Sequence, residues 1–182
     1  MKKVSCTLIA IFGLALSFQA SAYDKQFFKS IRAGDVAKVK QMLAGGVEVD
    51  DRDYKGMTGL MRAASYGHAD IVKLFIKNNA AINVRDKKGN SPLKHAAWSD
   101  KIEVIDLLIE KGAKLEEKND LGTTPIWSAV IASRIKVVKH LLKLGANPNV
   151  PNQYGMSAIR FAKARDEWEL VSVLQHANAK EF

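Results

Sequence analysis

One stretch of the chain decides the fold: Asp86-Lys87-Lys88-Gly89-Asn90-Ser91-Pro92-Leu93-Lys94-His95-Ala96-Ala97. Its first five residues have the composition of a turn. The Ser91 hydroxyl can then cap the free N–H groups of a first helical turn. Pro92 suits the first helical position, because it lacks the N–H that would go unpaired there. The stretch therefore predicts a turn that leads directly into a helix.

The same helix start recurs along the chain at intervals of 33 residues. Each copy has a glycine, then Ser or Thr two residues later, Leu or Ile four residues later, and Ala seven residues later. The four glycines are Gly56, Gly89, Gly122 and Gly155. Self-similarity at a fixed period of this length predicts an array of stacked repeats.

The repeated unit resembles an ankyrin repeat, whose signature is a 33-residue period with T-P-L-H-x-A. Residues 91–96 and 124–129 match that signature except at the His, and Gly59 and Ala158 replace the Pro in the other two units. The residues at the position of the His are Met61, Lys94, Trp127 and Arg160. The hydrogen bond that this His makes in the family is therefore expected to be absent from all four units.

The resemblance covers about residues 23–182 and implies an all-α ankyrin-repeat solenoid. About five helix-turn-helix units are expected, at about 23–52, 53–85, 86–118, 119–151 and 152–182. Three are full repeats, and the first and last are capping repeats, which are atypical because they close the stack. Asn79 is expected to end a helix in the left-handed conformation. Trp168 is expected to cover the end of the core.

The start of the chain reads as a secretory signal peptide over residues 1–22. Lys2 and Lys3 precede an apolar run over residues 4–18, and small residues follow it. The Ala20-x-Ala22 pattern places the cleavage before Tyr23. The alternative is an uncleaved membrane anchor, but this run is shorter than the span of about 20 residues that a bilayer needs. Residues 23–182 then form the ankyrin repeat domain, in the periplasm or secreted.

Cleavage would also change the composition. Cys6 is the one cysteine of the chain, so the mature protein would have no disulfide. Because only Lys2 and Lys3 leave, the formal net charge of +9 falls by two. The signal peptide is bacterial in style, although a eukaryotic secretory route is the alternative. A mature chain of this size is one domain, with no membrane insertion after cleavage, and it is expected to be monomeric when free.

No pattern in the sequence predicts catalysis, a cofactor or a metal site. The histidines His68, His95, His140 and His176 show no ligand spacing. The sequence has neither a Gly-x-x-x-x-Gly-Lys phosphate loop nor a Gly-x-Ser-x-Gly elbow. An enzyme that acts on the cell wall is the contrasting hypothesis, and it would need a buried pair of carboxylates that the sequence does not offer.

The basic residues fall into two groups. One group lies on second helices and is expected to face solvent: Lys73, Lys77, Lys111, Lys139 and Lys143. The other lies on turns and first helices, which form the concave side of ankyrin arrays where partners dock: Lys55, Arg62, Lys87, Lys88, Lys94, Lys118, Arg160 and Arg165. A positive concave side favours an acidic protein partner. Nucleic acid is disfavoured because of the export signal.

Large apolar residues at positions that are surface in the family complete the predicted interface. They lie among basic residues, as interface anchors do. The predicted protein-binding residues are Tyr54, Lys55, Tyr66, Lys87, Lys88, Trp98, Ile131, Tyr154 and Arg165. The alternative for the apolar ones is packing against a neighbouring turn. Trp127, at the position of the family's His, is expected to be buried.

The resemblance to ankyrin repeats implies a non-catalytic module that binds another protein through its concave face. The specific hypothesis is an exported inhibitor or immunity protein that blocks a toxin or an enzyme. A small exported chain with no catalytic set suits that role. By resemblance to some exported ankyrin proteins, support of peroxide or catalase defence is the alternative within the binding class.

Overall fold

The computed structural model describes residues 25–178, with side chains as far as Gln175. This part of the chain contains ten helices and no strand, apart from an isolated bridge between Arg52 and Thr58. The predicted all-α repeat solenoid is confirmed. The predicted signal peptide lies outside the described residues.

The helices come in five consecutive pairs, each joined by a tight turn. The first helices are α1 (25–33), α3 (Gly59–Tyr66), α5 (Pro92–Trp98), α7 (Pro125–Ile131) and α9 (Ala158–Ala164). The second helices are α2 (Val36–Ala44), α4 (Ala69–Lys77), α6 (Ile102–Glu110), α8 (Ile135–Lys143) and α10 (Trp168–Asn178). First helices stack on first helices, from α3 to α9. In the second layer α4 packs against both α2 and α6, and α10 packs against α8.

Side chains cap four of the helix starts. The hydroxyls of Thr58, Ser91 and Ser157 each accept a hydrogen bond from the backbone N–H three residues later. Asp35 caps α2 in the same way through the N–H of Lys38. Thr124 departs from this rule, because its buried hydroxyl has no hydrogen-bond partner among the described residues. Side-chain capping thus satisfies a helix N–H at four of these starts.

A left-handed residue separates the two helices of every unit. It is glycine in the first two units, and Asp100, Ser133 and Asp166 in the later ones. At Gly67, which has a φ of 78°, a Cβ would lie 2.2 Å from Cδ of Lys101, so the flexible Lys101 side chain would have to move to admit a larger residue. Asn79 has a φ of 61° after α4, as predicted. These residues reverse the chain within one short turn.

Equivalent residues of successive units build one continuous core between the two layers. First helices contribute Leu60, Leu93, Ile126 and Ile159, and second helices contribute Met42, Phe75, Leu108, Leu141 and Leu174. All of these side chains are buried. Each unit therefore covers the apolar face of the unit before it, as in other solenoids.

The second unit differs from the others where α3 meets α4. Phe75 lies where the two following units have Leu108 and Leu141. A Cβ on Gly59 would lie 2.2 Å from Cζ of the Phe75 ring. The Phe75 ring thus fills the space that a proline at residue 59, equivalent to Pro92 and Pro125, would occupy. The packing therefore requires glycine at this helix start.

The position of the family's His is occupied differently in each unit. Lys94 is buried, and its ammonium group donates to Thr123 Oγ1 at 2.6 Å, Thr123 O at 2.8 Å and Thr124 O at 3.2 Å. Burial lowers the pKa of Lys94 to about 7, against the attraction of Asp86. Lys94 thus makes hydrogen bonds of its own at this position, and its assignment to the basic residues of the concave side is wrong because it is buried.

The structure confirms the prediction for one tryptophan and contradicts the prediction for another. Trp127 is buried as predicted, with its ring centroid 4.9 Å from that of Phe161, and its Nε1–H meets no hydrogen-bond partner within the part of the chain that the structure describes. Trp168 is 64% exposed at the start of α10. The prediction that Trp168 covers the end of the core is therefore wrong. Up to Gln175, the buried residues of that helix are Leu170, Val171 and Leu174.

Candidate protein-interaction surface

The loops that precede the first helices share one hydrogen-bonded shape. Asp53 Oδ1 accepts from the backbone N–H of Lys55 at 2.8 Å and of Met57 at 3.0 Å. Asp86, Asn119 and Asn152 bond the equivalent amides of their own loops. Short Asx side chains that bond the backbone ahead of them hold a turn in one conformation. The loop tips are therefore preformed.

Neighbouring loop tips are joined by backbone hydrogen bonds. The N–H of Lys87 donates to Lys55 O at 3.3 Å, and the N–H of Asp120 donates to Lys88 O at 3.2 Å. The next link runs from Gln153 N to Leu121 O at 3.1 Å. The tips thus form a continuous row along one edge of the stack, which we call the tip row (residues 54–55, 87–88, 120–121 and 153–154).

The tip row presents aromatic and basic side chains together. Tyr54 is 78% exposed, and the Lys55 ammonium lies 5.6 Å from the centre of its ring. The Lys87 ammonium donates to Tyr54 O at 2.9 Å. Three predicted residues are therefore in contact with one another at the first two tips. Lys88 is exposed at the second tip and Tyr154 is 76% exposed at the last.

Leu121, at the third tip, was not predicted. It is 50% exposed at the position equivalent to Lys55, Lys88 and Tyr154. The 33-residue alignment predicts it, since all three of its equivalents are among the predicted residues.

The exposed side of the first helices adds to the candidate surface four predicted residues that differ in how exposed they are. Trp98 is 50% exposed at the end of α5, while Tyr66 is half-buried at the end of α3. Ile131 is half-buried against the core, which agrees with the packing alternative. Arg165 lies over the Phe161 ring at 5.5 Å and pairs with Glu167 at 2.9 Å. Trp98 is thus the most exposed of the predicted first-helix anchors.

A groove of 480 Å³ opens at the N-terminal end of this side, between α1, α3 and the first loop tip. We call it the N-terminal groove. Its lining residues are Lys25, Phe28, Lys29, Arg32, Arg52, Asp53, Tyr54, Arg62 and Tyr66. Five of them are cationic, and Asp53 is the one carboxylate among them. Of the predicted site residues, Tyr54 and Tyr66 line this groove.

The α1 residues of the groove were missed from the sequence. Lys29 is equivalent to Arg62 and Arg32 to Ser65 at the 33-residue spacing. Because the first unit lacks the signature start, its surface positions were not compared with those of the later units. The 33-residue spacing alone predicts that Lys29 and Arg32 lie at the surface positions of Arg62 and Ser65.

Histidines and carboxylates have structural roles in this fold. His95 Nε2 lies 2.9 Å from Asp86 Oδ2, and His68 Nε2 lies 3.2 Å from Arg32 O. Burial opposes ionisation of Asp86, but hydrogen bonds from His95, Asn90 N and Lys88 N hold its pKa well below the usual range. Over residues 25–178 no cluster of His, Cys, Asp and Glu could hold a metal ion.

The same part of the chain has no helix with the length and apolar character that a bilayer crossing requires.

Comparison with known families identifies the fold. Residues 27–119 match the family described as Ankyrin repeats (3 copies), and residues 121–153 match a further Ankyrin repeat. The chain belongs to the ankyrin repeat family. No curated protein matches it. The matches end at residue 153, and the helix pair α9 and α10 continues the ankyrin stack beyond that point.

Membership of the family assigns a general role to this surface. Ankyrin repeat proteins are generally non-catalytic modules that bind other proteins. In this ankyrin protein the tip row, the exposed side of the first helices and the N-terminal groove supply exposed rings and cations on a preformed scaffold. Such a surface suits recognition of a protein, where aromatic anchors and complementary charge both contribute.

Proposed function

We propose that this ankyrin repeat protein is exported and blocks a toxin or an enzyme by binding it through the concave surface. That surface consists of the tip row and the exposed side of the first helices. The observation that carries the proposal is the exposure of Trp98, Tyr54 and Tyr154 among basic residues on this rigid scaffold. Exposed aromatic side chains are the residues that most often supply interface affinity.

The charge of the chain supports an acidic partner. The chain carries a formal net charge of +9, and Lys55, Lys88 and Arg32 are exposed on the proposed interface. Opposite charge on the partner would accelerate encounter and orient the complex. Export is supported by the charged, apolar and small-residue pattern of residues 1–22. The protein acts without catalysis and is a monomer when free.

A binding titration tests the interface, using the partner that co-purifies with the mature chain. Replacing Trp98 with Ala should weaken binding by about 2 kcal/mol or more, because it removes a central anchor. Replacing Lys55 and Lys88 together with Glu should mainly slow association, and less so at high salt. Lys87 is left unchanged because its ammonium group holds the Tyr54 carbonyl.

The matched control is Lys77→Glu with Lys143→Glu, which makes the same charge change on exposed second helices. Equal effects of the two double variants, together with full binding by Trp98→Ala, would place the interface elsewhere and reject the proposal.

A further inference from the structure

The cations of the N-terminal groove differ in how they are used. The Arg62 guanidinium pairs with Asp53, and Arg52 donates to Gly56 O at 2.8 Å and Arg85 O at 2.7 Å. By contrast, the three α1 cations form no ion pair with any acidic residue of the described chain; they are Lys25, Lys29 and Arg32. One side of the groove is thus held together internally, while the other presents positive charge that no described acidic residue pairs with.

Aromatic rings lie between these charges. Phe28, Tyr54 and Tyr66 all line the groove. Phe28 is half-buried, with its ring centroid 5.4 Å from that of Phe27 in an edge-on contact. Tyr66 lies 6.0 Å from the His68 ring. Phe28 and Tyr66 therefore have packed supports, and they offer apolar walls that need little reordering when a ligand binds.

We infer that the N-terminal groove binds an acidic segment of the protein partner. Its carboxylates face Lys25, Lys29 and Arg32, and one of its apolar side chains lies against Phe28 and Tyr66. The inference rests on the proposed function and adds to it the chemistry of the bound segment. It also places a second anchor point at α1, away from Trp98.

Size, charge and family membership favour this occupant. At 480 Å³ the groove falls within the usual range of ligand sites, about 300–1,000 Å³, so it suits a short segment. A segment of Asp and Glu with an apolar residue matches both unpaired cations and rings. A nucleic acid also carries anions and rings, but the family binds proteins.

The probe is a fluorescein-labelled nonapeptide of Asp and Glu with one central Phe, titrated into the chain 23–182 and followed by anisotropy. A matched peptide has Asn and Gln at every acidic position. The acidic peptide should bind at least about tenfold more tightly than the amide peptide, and the difference should shrink at high salt. Equal binding of the two peptides would overturn the inference.

Two double variants locate the site. Lys29→Glu with Arg32→Glu reverses two groove cations, and Lys139→Glu with Lys143→Glu makes the same change on exposed positions of α8. The groove variant should weaken the acidic peptide by about tenfold or more, and the α8 variant by less than about twofold. Equal weakening of peptide binding by the two double variants would show that only the net charge of the protein matters, and it would overturn the inference. Circular dichroism checks that each variant is folded. If Lys29→Glu with Arg32→Glu unfolds the protein, Lys29→Gln with Arg32→Gln is tested in its place.

Two further measurements distinguish a failure of this inference from a failure of the proposed function. A single-stranded oligonucleotide of similar charge that binds more tightly than the acidic peptide would overturn it. Trp98→Ala should leave peptide binding unchanged while it weakens the whole partner. Loss of partner binding in Trp98→Ala, with no preference for the acidic peptide, would refute the groove inference and leave the proposed function intact.

Discussion

At the scale of single residues, Lys94 shows how one side chain can connect two repeats. Its side chain is buried, and its ammonium group reaches three oxygens of Thr123 and Thr124. Those oxygens belong to the start of the next unit. The connection is polar, and burial of the charge makes it costly at neutral pH.

Lys94 should make stability depend on pH. Its pKa is about 7 in the folded protein and about 10.4 in an unfolded chain. Between these values the unfolded state binds a proton that the folded state lacks, so stability rises with pH. Compared with Lys94→Met, the wild type should gain up to about 1.4 kcal/mol of unfolding free energy per pH unit across this range. Denaturant unfolding at pH 7, 8 and 9 measures it.

The control for this prediction is Lys143→Met, a change at an exposed lysine of α8. Its stability should follow the wild-type profile at each pH. Parallel profiles for Lys94→Met and the wild type would mean that the folded protein leaves the pKa of Lys94 at its ordinary value.

Lys94 also marks a limit of prediction at this scale. Ser91, Asp35 and Asn79 could be assigned from the sequence, because capping and left-handed turns depend on a few adjacent residues. The partners of Lys94 lie 29 and 30 residues away. Their distance from the ammonium group depends on how closely two units stack, which residue type alone does not determine.

At the scale of elements, α3 and α4 illustrate packing that couples two helices. Gly59 begins α3 where two other units have proline, and the Phe75 ring of α4 occupies the space beside it. The larger ring and the missing side chain compensate for each other in volume. Core packing of this kind tolerates paired changes better than single ones.

The pair should show strong non-additivity in a double-mutant cycle. Gly59→Pro alone should lower the unfolding free energy by about 1–3 kcal/mol, because the ring blocks the new side chain. Phe75→Leu alone should also destabilise, by leaving a cavity. With both changes the loss should be smaller than the sum by at least about 1 kcal/mol. Denaturant unfolding of the four proteins provides the cycle.

Ala158→Pro is the matched control, since α9 faces Leu174 at the equivalent position. It should leave stability unchanged or raise it by up to about 1 kcal/mol. Additive losses for Gly59→Pro and Phe75→Leu would show that the two residues do not compete for space.

Helix positions were largely predictable, whereas this compensation was not. The stripe of apolar residues in α6 and the Ser-Pro start of α5 follow from local periodicity and capping. The departure at Gly59 was visible as a mismatch to the family signature. Its cause is a contact with a residue 16 positions later in the chain, and only the packed helices identify it.

At the scale of the whole molecule, surface composition follows the layers of the stack. The second helices carry exposed lysines such as Lys73, Lys77 and Lys139, while rings and arginines concentrate on the first helices and loop tips. The 33-residue spacing predicted this division. It did not reveal the N-terminal groove, because the first unit diverges from the signature and the groove needs residues from two units.

The export hypothesis belongs to this scale and has a direct test. Cleavage between Ala22 and Tyr23 should remove Cys6 and yield a cysteine-free protein. Intact mass spectrometry of the protein recovered after expression with its full sequence measures the cut. A mass that still contains residues 1–22, in a protein recovered with the membrane fraction, would contradict the hypothesis and favour the anchor.

The tip row has a consequence for how this surface evolves. Besides the bond from the Lys87 ammonium to Tyr54 O, its links use main-chain N–H and C=O groups, at Lys87, Asp120 and Gln153, and these main-chain links do not depend on which side chain each tip carries. Proline is the exception, because it has no N–H to donate. Substitutions at the tips therefore alter what the molecule recognises without altering the stack, and a lineage can exchange one partner for another while it keeps the same fold.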